Sequence, residues 1–186
     1  MANLSQEAIR NSFIRLISEK PFDKITVKEV IDDCQIARRT FYYHYQDLYA
    51  VVEDILRLET EKAIRDYQAG GTLEECFIAA GKFILQNKRA IYHLFYSEHR
   101  LELIRYVDRT ASDVMDRYLN EMVGGRTVRE EDLRLIASFY KSALSGIVFE
   151  WLEGGTKTDP AAAVRRLGVL FGDNIERALQ ISAEQA

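Results

Sequence analysis

The sequence predicts an all-α protein of about nine helices. Apolar residues recur at helical spacing along almost the whole chain, with almost no strand alternation. Threonine and aspartate caps, double glycines and two prolines punctuate that spacing at intervals suited to helix ends. With 47% apolar and 29% charged residues over 186 positions, the composition is globular and supports one domain, or a small one attached to a larger one.

The elements follow in order. Ser5 is placed to cap a first helix, with Leu4 stapled onto Ile9 and with Ile9, Phe13, Leu16 and Ile17 on one face. Pro21 ends it, because proline disfavours helical geometry in the residue before it. Thr26 to Glu29 reads as a capping box ahead of a short helix with Val27, Val30 and Ile31 inward. That helix runs out near Cys34-Gln35, and a second short, polar helix spans about 37–43. Apolar positions 48, 51, 52, 55 and 64 mark a long helix ending at Gly70-Gly71, a pair suited to a left-handed cap. Thr72 to Glu75 and Thr127 to Glu130 read as two more capping boxes, and Thr158-Asp159-Pro160 as a cap with proline in the first helical position. Helices are therefore expected over about 73–86, 88–96, 99–123, 128–153 and 160–182, with Gly124-Gly125 and Gly154-Gly155 closing the third and fourth of these.

Several function classes lack their residues. Cys34 and Cys76 form no CxxC, and His44, His93 and His99 fit no helical metal-ligand spacing, so no metal site and no cofactor are expected. No GxSxG, GxxxxGK[ST] or GxGxxG is present, and no constellation of acid, base and nucleophile suggests an enzyme. No apolar run approaches the roughly 18 residues of a membrane span, and the first twenty residues lack a signal-peptide pattern, so a cytoplasmic protein is expected. The net charge of -4 argues against coating nucleic acid by charge alone. Its distribution is uneven: residues 1–48 hold seven basic and seven acidic side chains, so the remainder of the chain carries the whole excess.

The two long C-terminal helices are apolar on more than one face. Leu133, Ile136, Tyr140, Ala143, Ile147 and Trp151 line one side of the first, while Leu135, Phe139, Gly146 and Phe149 crowd another. A helix apolar all round is buried all round. Small residues at Ser142, Ala143, Ser145 and Gly146 suit close approach, so a two-fold homodimer is expected, with Leu144, Ile147, Val148, Trp151, Leu167, Phe171 and Ile175 in the interface.

Two short helices joined by a tight turn, the second polar and cationic, form the pattern of a helix-turn-helix DNA reader. Arg38 and Arg39 open the second helix, Thr40, Tyr42 and Tyr43 supply donors, and Phe41 and Tyr45 face inward. Arginine can pair bidentately with guanine. Spacing alone equally allows a solvated surface helix in an unrelated bundle.

Thr26-Val27-Lys28-Glu29-Val30 followed by Ile36-Ala37-Arg38-Arg39-Thr40-Phe41-Tyr42-Tyr43-His44-Tyr45 resembles the DNA-binding signature of the TetR family over roughly residues 8–55. Gly146 to Gly155 ahead of Pro160 is similar to the end of the regulatory domain in a TetR subgroup that includes dihydroxyacetone-kinase regulators. The resemblance implies a helix-turn-helix domain over 1–47 and a helical ligand-binding and dimerisation domain over 48–186. It implies phosphate contacts by Thr26, Thr40, Tyr42 and His44, and a major-groove role for Arg38, Arg39 and Tyr43, with Lys28 beside them. It implies double-stranded DNA with a palindromic operator as partner. It also implies a small-molecule effector, for which Tyr67, Tyr92, His93, Tyr96, His99, Tyr106 and Tyr140 are the expected contacts. The expected function is a sequence-specific repressor released by that effector. The alternative is a TetR-fold coactivator or adaptor that works through a protein partner with weakened DNA binding. Three residues depart from the family pattern: Gln35 where glycine is usual in the turn, Ala37 in place of a Ser/Thr cap, and Leu48 in place of a lysine that would meet a phosphate.

Overall fold

Helical spacing becomes helix throughout. The computed structural model describes residues 2–68 and 72–186, with side chains at all of these except 2, 3, 63, 66, 67, 68 and 73. Among the described residues there are α1 (Ala2–Glu19), α2 (Val27–Asp33), α3 (Arg38–His44), α4 (Leu48–Gln68), α5 (Leu73–Gln86), α6 (Lys88–Phe95), α7 (Arg100–Val123), α8 (Glu130–Glu153) and α9 (Pro160–Glu184), and no strand. A 3-10 turn at Phe22–Lys24 follows Pro21. The expected Gly70-Gly71 helix end lies outside the described residues.

The chain forms two compact units. The first comprises Met1–Lys62 with Phe83–Ile104, and the second comprises Ala63–Lys82 with Arg105–Ala186. In the first unit α1 packs on α2, α3 and α6. Its core buries Ile9, Phe13 and Ile17 of α1, Val30 and Ile31 of α2, Phe41 of α3, and Leu94 and Phe95 of α6. Phe13 meets Phe22 edge-on at 5.9 Å. In the second unit Met115 and Leu119 of α7 and Ile175 and Leu179 of α9 form a buried cluster, with Leu133, Ile136, Tyr140 and Leu144 of α8 packed against it. Gly81 of α5 comes so close to α9 that a Cβ there would lie 2.7 Å from the Pro160 Cβ.

Most caps form as the sequence indicates. Thr26 and Glu29 make the reciprocal capping box of α2, and Thr72 and Glu75 do so for α5, with Glu75 N–H donating to the Thr72 hydroxyl at 3.1 Å. Asp159 accepts from the Ala161 and Ala162 N–H groups ahead of Pro160. Two expectations are corrected. Helix α1 already begins at Ala2, and Leu4 faces solvent, so Ser5 caps nothing and Ile9 is buried by the core instead of a staple. Helix α8 begins at Glu130 with Arg129 in the cap position, so Thr127 is not its cap. The donor left over at Arg129 N–H is taken by the Ser182 hydroxyl of α9 at 3.0 Å, which itself donates to Asp132 at 2.7 Å. A tertiary partner replaces the local one because the cap geometry only has to satisfy the orphan amide, whatever the source. The sequence reading also missed Asp47, whose carboxylate accepts from Ala50 N–H at 2.8 Å to start α4.

Leu48 takes the place expected of it among the apolar positions of α4. It is only 8% exposed and belongs with Val51 and Val52 on the inner side of α4, so position 48 is core here. A lysine at 48 would have to leave that core to reach a phosphate.

A polar cluster ties three elements of the first unit together. Arg10 of α1 donates to Asp54 of α4 at 2.8 Å, and Tyr45, just past α3, donates its hydroxyl to the same carboxylate at 2.6 Å. Burial pushes the Tyr45 hydroxyl up to about 12, and the Asp54 hydrogen bond adds to that. Burial alone would raise the Asp54 carboxyl, but hydrogen bonds from Tyr45, Arg57 and Arg10 outweigh it and hold the group below its ordinary value. Removing one member of such a cluster leaves the others desolvated and unpaired.

Two outcomes are expected. Asp54→Ala lowers unfolding free energy in denaturant titration by about 2 to 3 kcal/mol at neutral pH. Because the folded carboxyl titrates below its unfolded value, the Asp54 contribution is present above the ordinary carboxylate range. It is lost as pH falls through the depressed value, so the variant loses less stability on acidification than the native chain. The second outcome concerns Gln35, which adopts φ of 54° in the turn after α2, a left-handed geometry that lets Ile36 N–H reach the Ile31 carbonyl at 3.1 Å. Gln35→Gly should raise stability by about 0.5 to 1 kcal/mol, read by the same titration.

Candidate nucleic-acid interface

Helix α3 is held by its inner face, and that decides what its outer face shows. Phe41 is 0% exposed and Tyr45 is buried, with ring centroids 6.0 Å apart. At about 3.6 residues per turn, the positions opposite Phe41 are 39 and 43, flanked by 38 and 42 on one side and 40 and 44 on the other. The exposures agree: Tyr43 is 79% exposed, Arg38, Arg39 and Tyr42 are exposed, and Thr40 and His44 are half-buried. The protruding ridge is thus Arg39 and Tyr43, with the Tyr43 ring edge-on to His44 at 4.9 Å.

Arg38 is not loose. Its guanidinium donates to the Tyr42 hydroxyl at 3.3 Å and lies 5.4 Å from the centre of the Tyr42 ring. Among the described residues no hydrogen bond or ion pair engages Arg39 or Lys28. Thr26 is fully engaged: its N–H and hydroxyl both donate to Glu29 Oε2, at 2.9 and 3.0 Å, and the hydroxyl accepts from Glu29 N–H. Glu29 in turn pairs with Lys20, and the Lys20 ammonium, followed by the Thr26 N–H and hydroxyl, holds its carboxyl below the ordinary value. The sequence reading found the capping box but missed that it occupies the donors Thr26 would offer a phosphate.

Pairing also sorts the charges of a segment that is neutral by count. Arg10 pairs with Asp54, Arg15 with Asp33 and Lys20 with Glu29. Lys24, Lys28, Arg38 and Arg39 remain without an acidic partner among the described residues, all within positions 24–39. The acidic side chains Asp23 and Asp32 lie among them, so these four cations are unpaired without making the segment basic in sum.

The residues expected to converge on a small molecule are divided between the units. Tyr92, His93, Tyr96 and His99 lie in the first, and Tyr106 and Tyr140 in the second. The Tyr67 side chain lies outside the described residues. Two of them do structural work: His93 Nδ1–H donates to the Ile17 carbonyl at 2.6 Å, linking α6 to α1, and His99 is edge-on to Phe22 and stacked on Tyr49. Tyr96 is exposed beside Tyr92, while Tyr140 packs on the Met115 cluster, where burial and then the nearby Tyr118 raise its hydroxyl pKa.

The residues expected at a dimer interface also divide. Ile175 is buried in the second unit's own core and Leu144 packs against it. Ile147 and Phe171 are exposed, and Val148, Trp151 and Leu167 are half-buried, with Trp151 Nε1–H donating to the Thr158 carbonyl at 3.0 Å. The largest exposed apolar side chains on these two helices are others: Leu135 at 70% and Phe139 at 65% on α8, with Val169 and Leu170 on α9.

Comparison with known proteins agrees with this arrangement. A family model described as "Bacterial regulatory proteins, tetR family" matches residues 12–55, and one described as "Transcriptional regulator C-terminal region" matches residues 71–173. A stretch of 103 residues is 23% identical to a protein named "Uncharacterized HTH-type transcriptional regulator YxbF" from Bacillus subtilis (strain 168), covering 54% of this chain and 26% of that one. The chain therefore spans about a quarter of the length of that relative. Among solved structures, the dihydroxyacetone kinase operon activator DhaS shares the fold with a TM-score of 0.70 at 14% identity, over 96% of this chain and 97% of the other. A TetR transcriptional regulator from Streptococcus agalactiae 2603V gives a TM-score of 0.51 at 19% identity, over 99% and 94%. No described helix is long and apolar enough to cross a membrane. With one match falling on the helices that build the reader and the other covering more than half of the chain, this protein belongs to the TetR family of bacterial transcriptional regulators, which are DNA-binding factors and not enzymes.

Proposed function

We propose that the chain is a sequence-specific repressor that binds a palindromic operator as a two-fold homodimer in the bacterial cytoplasm, and that a small-molecule effector releases it. Residues 1–47 act as the reader, and 48–186 as the ligand-binding and dimerising part. The observation that carries the reading is the outer ridge of α3, where an unpaired Arg39 and an exposed Tyr43 stand opposite the buried Phe41. Arg39 is suited to guanine O6 and N7, and Tyr43 to base-edge contacts beside it. Lys28, Thr40 and His44 serve the phosphates on either side. Thr26 serves one only when phosphate displaces Glu29 from its donors.

Dimerisation is supported by the exposed apolar side chains of α8 and α9, which a monomer in water gains nothing by displaying. A two-fold dimer of this kind binds half-sites about one turn of DNA apart. Effector control then acts by population shift, worth about 1 to 3 kcal/mol of coupling for a ligand that prefers badly spaced readers.

A second reading is an activator or adaptor that works through a protein partner. The fold neighbour named as an operon activator favours it, as does a turn that forces Gln35 left-handed and leaves α3 without a side-chain cap at Ala37. Fluorescence anisotropy with DNA from upstream of the protein's own gene, beside a scrambled control at two salt concentrations, separates the two. Tight, salt-sensitive binding to the natural fragment alone supports the repressor reading. Equal weak binding to both supports the adaptor.

Arg39→Ala is expected to lose about 1 to 3 kcal/mol at the natural fragment and much less on the scrambled one. Equal losses on both would remove Arg39 from base reading. Phe139→Glu is expected to yield a species of 21.5 kDa in sedimentation equilibrium where the native chain sediments at twice that mass. A native chain that sediments as the monomer would end the dimer proposal.

A further inference from the structure

We propose that Tyr42 contributes to base recognition chiefly by positioning Arg38. This rests on the reading of α3 as the DNA-reading helix. Arg38 is the first residue of α3, the end at which a reading helix meets base edges. A bidentate contact to guanine requires the planar guanidinium in one orientation, and a free arginine side chain loses much rotamer freedom in reaching it. Tyr42 sits four residues on, on the same flank of the helix. Its hydroxyl accepts from Arg38 Nη2 at 3.3 Å, and its ring centre lies 5.4 Å from the guanidinium carbon. Ring and hydroxyl together restrict the fork before DNA arrives, which is preorganisation of a contact rather than an added one. The neighbouring arginine is the internal contrast, since no described group engages Arg39. The two arginines thus enter the groove differently, one preset and one free.

A Tyr42 that served only a phosphate would affect every operator base pair alike. One that positions Arg38 affects the base pair Arg38 reads. The test begins with a duplex of about 20 base pairs enriched from a randomised library by the full-length native chain. Anisotropy binding is then measured on that duplex and on each of its single base-pair variants for the native chain, Arg38→Ala, Tyr42→Phe and the double variant. Arg38→Ala identifies its own base pair as the position where discrimination collapses, from a range of roughly 5- to 150-fold for a bidentate arginine.

The expected result is that Tyr42→Phe reduces discrimination at that same base pair by about two- to tenfold and leaves the other positions within about twofold. In the Arg38→Ala background it should have almost no further effect. Tyr42→Leu, which loses the ring as well, should reduce discrimination there further. Tyr42→Phe keeps the ring that stands edge-on to the buried Phe41, 5.4 Å away, so its thermal unfolding should be unchanged, and it carries the test should Tyr42→Leu unfold earlier. Uniform weakening across all base pairs, or a Tyr42→Phe loss that persists in full without Arg38, overturns the proposal and leaves Tyr42 as a phosphate contact. Failure of the native chain to enrich any sequence overturns the reading of α3 itself and this proposal with it.

Discussion

A helix of seven residues does not hold itself together in water, and α3 depends on two buried rings. Its cap position, Ala37, has no side-chain cap and follows a left-handed glutamine, so its N-terminal end gains nothing locally. What remains is Phe41, fully buried, and Tyr45, whose hydroxyl is drawn to Asp54 while Arg10 closes the same carboxylate. Once those two rings are inward, the identity of the outward residues follows from helical geometry alone. The reading surface is therefore determined by the core it faces away from, and a defect in the Arg10, Tyr45 and Asp54 cluster would rotate or melt the surface without touching it.

The same economy governs charge. A segment with equal numbers of acidic and basic residues would have no reason to approach a polyanion if its charges were spread at random. Ion pairing removes three cations at positions 10, 15 and 20, against Asp54, Asp33 and Glu29. The cations left over belong to the 3-10 turn, α2 and α3.

Much of this was legible in the sequence because it is local. The capping boxes at Thr26 and Thr72, the Asp159-Pro160 start of α9, the helical period and the inward Phe41 each depend on residues within one or two turns of one another. The misreadings are where a distant partner takes over. At the start of α8, where Thr127 was expected to cap, it is Ser182 of α9 that accepts from the Arg129 N–H. The aromatic and histidine residues between 67 and 106 show the same limit. Their types suit a ligand, yet His93 is spent on the Ile17 carbonyl and His99 on two rings, partners that are far away in sequence.

Helices α8 and α9 are subject to the same limit. Their period predicts apolar faces on more than one side, but not which face the protomer uses for itself. The cluster of Met115, Leu119, Ile175 and Leu179 claims Leu133, Ile136, Tyr140 and Leu144 from α8. That leaves Leu135 and Phe139, four residues apart on another side of the helix, turned to solvent. Ile175 and Leu144, which sequence alone would give to a partner chain, are thus consumed inside the protomer. The surface available for association is defined only by subtraction, after the internal core has taken its share, and so it lies beyond any reading of one helix at a time.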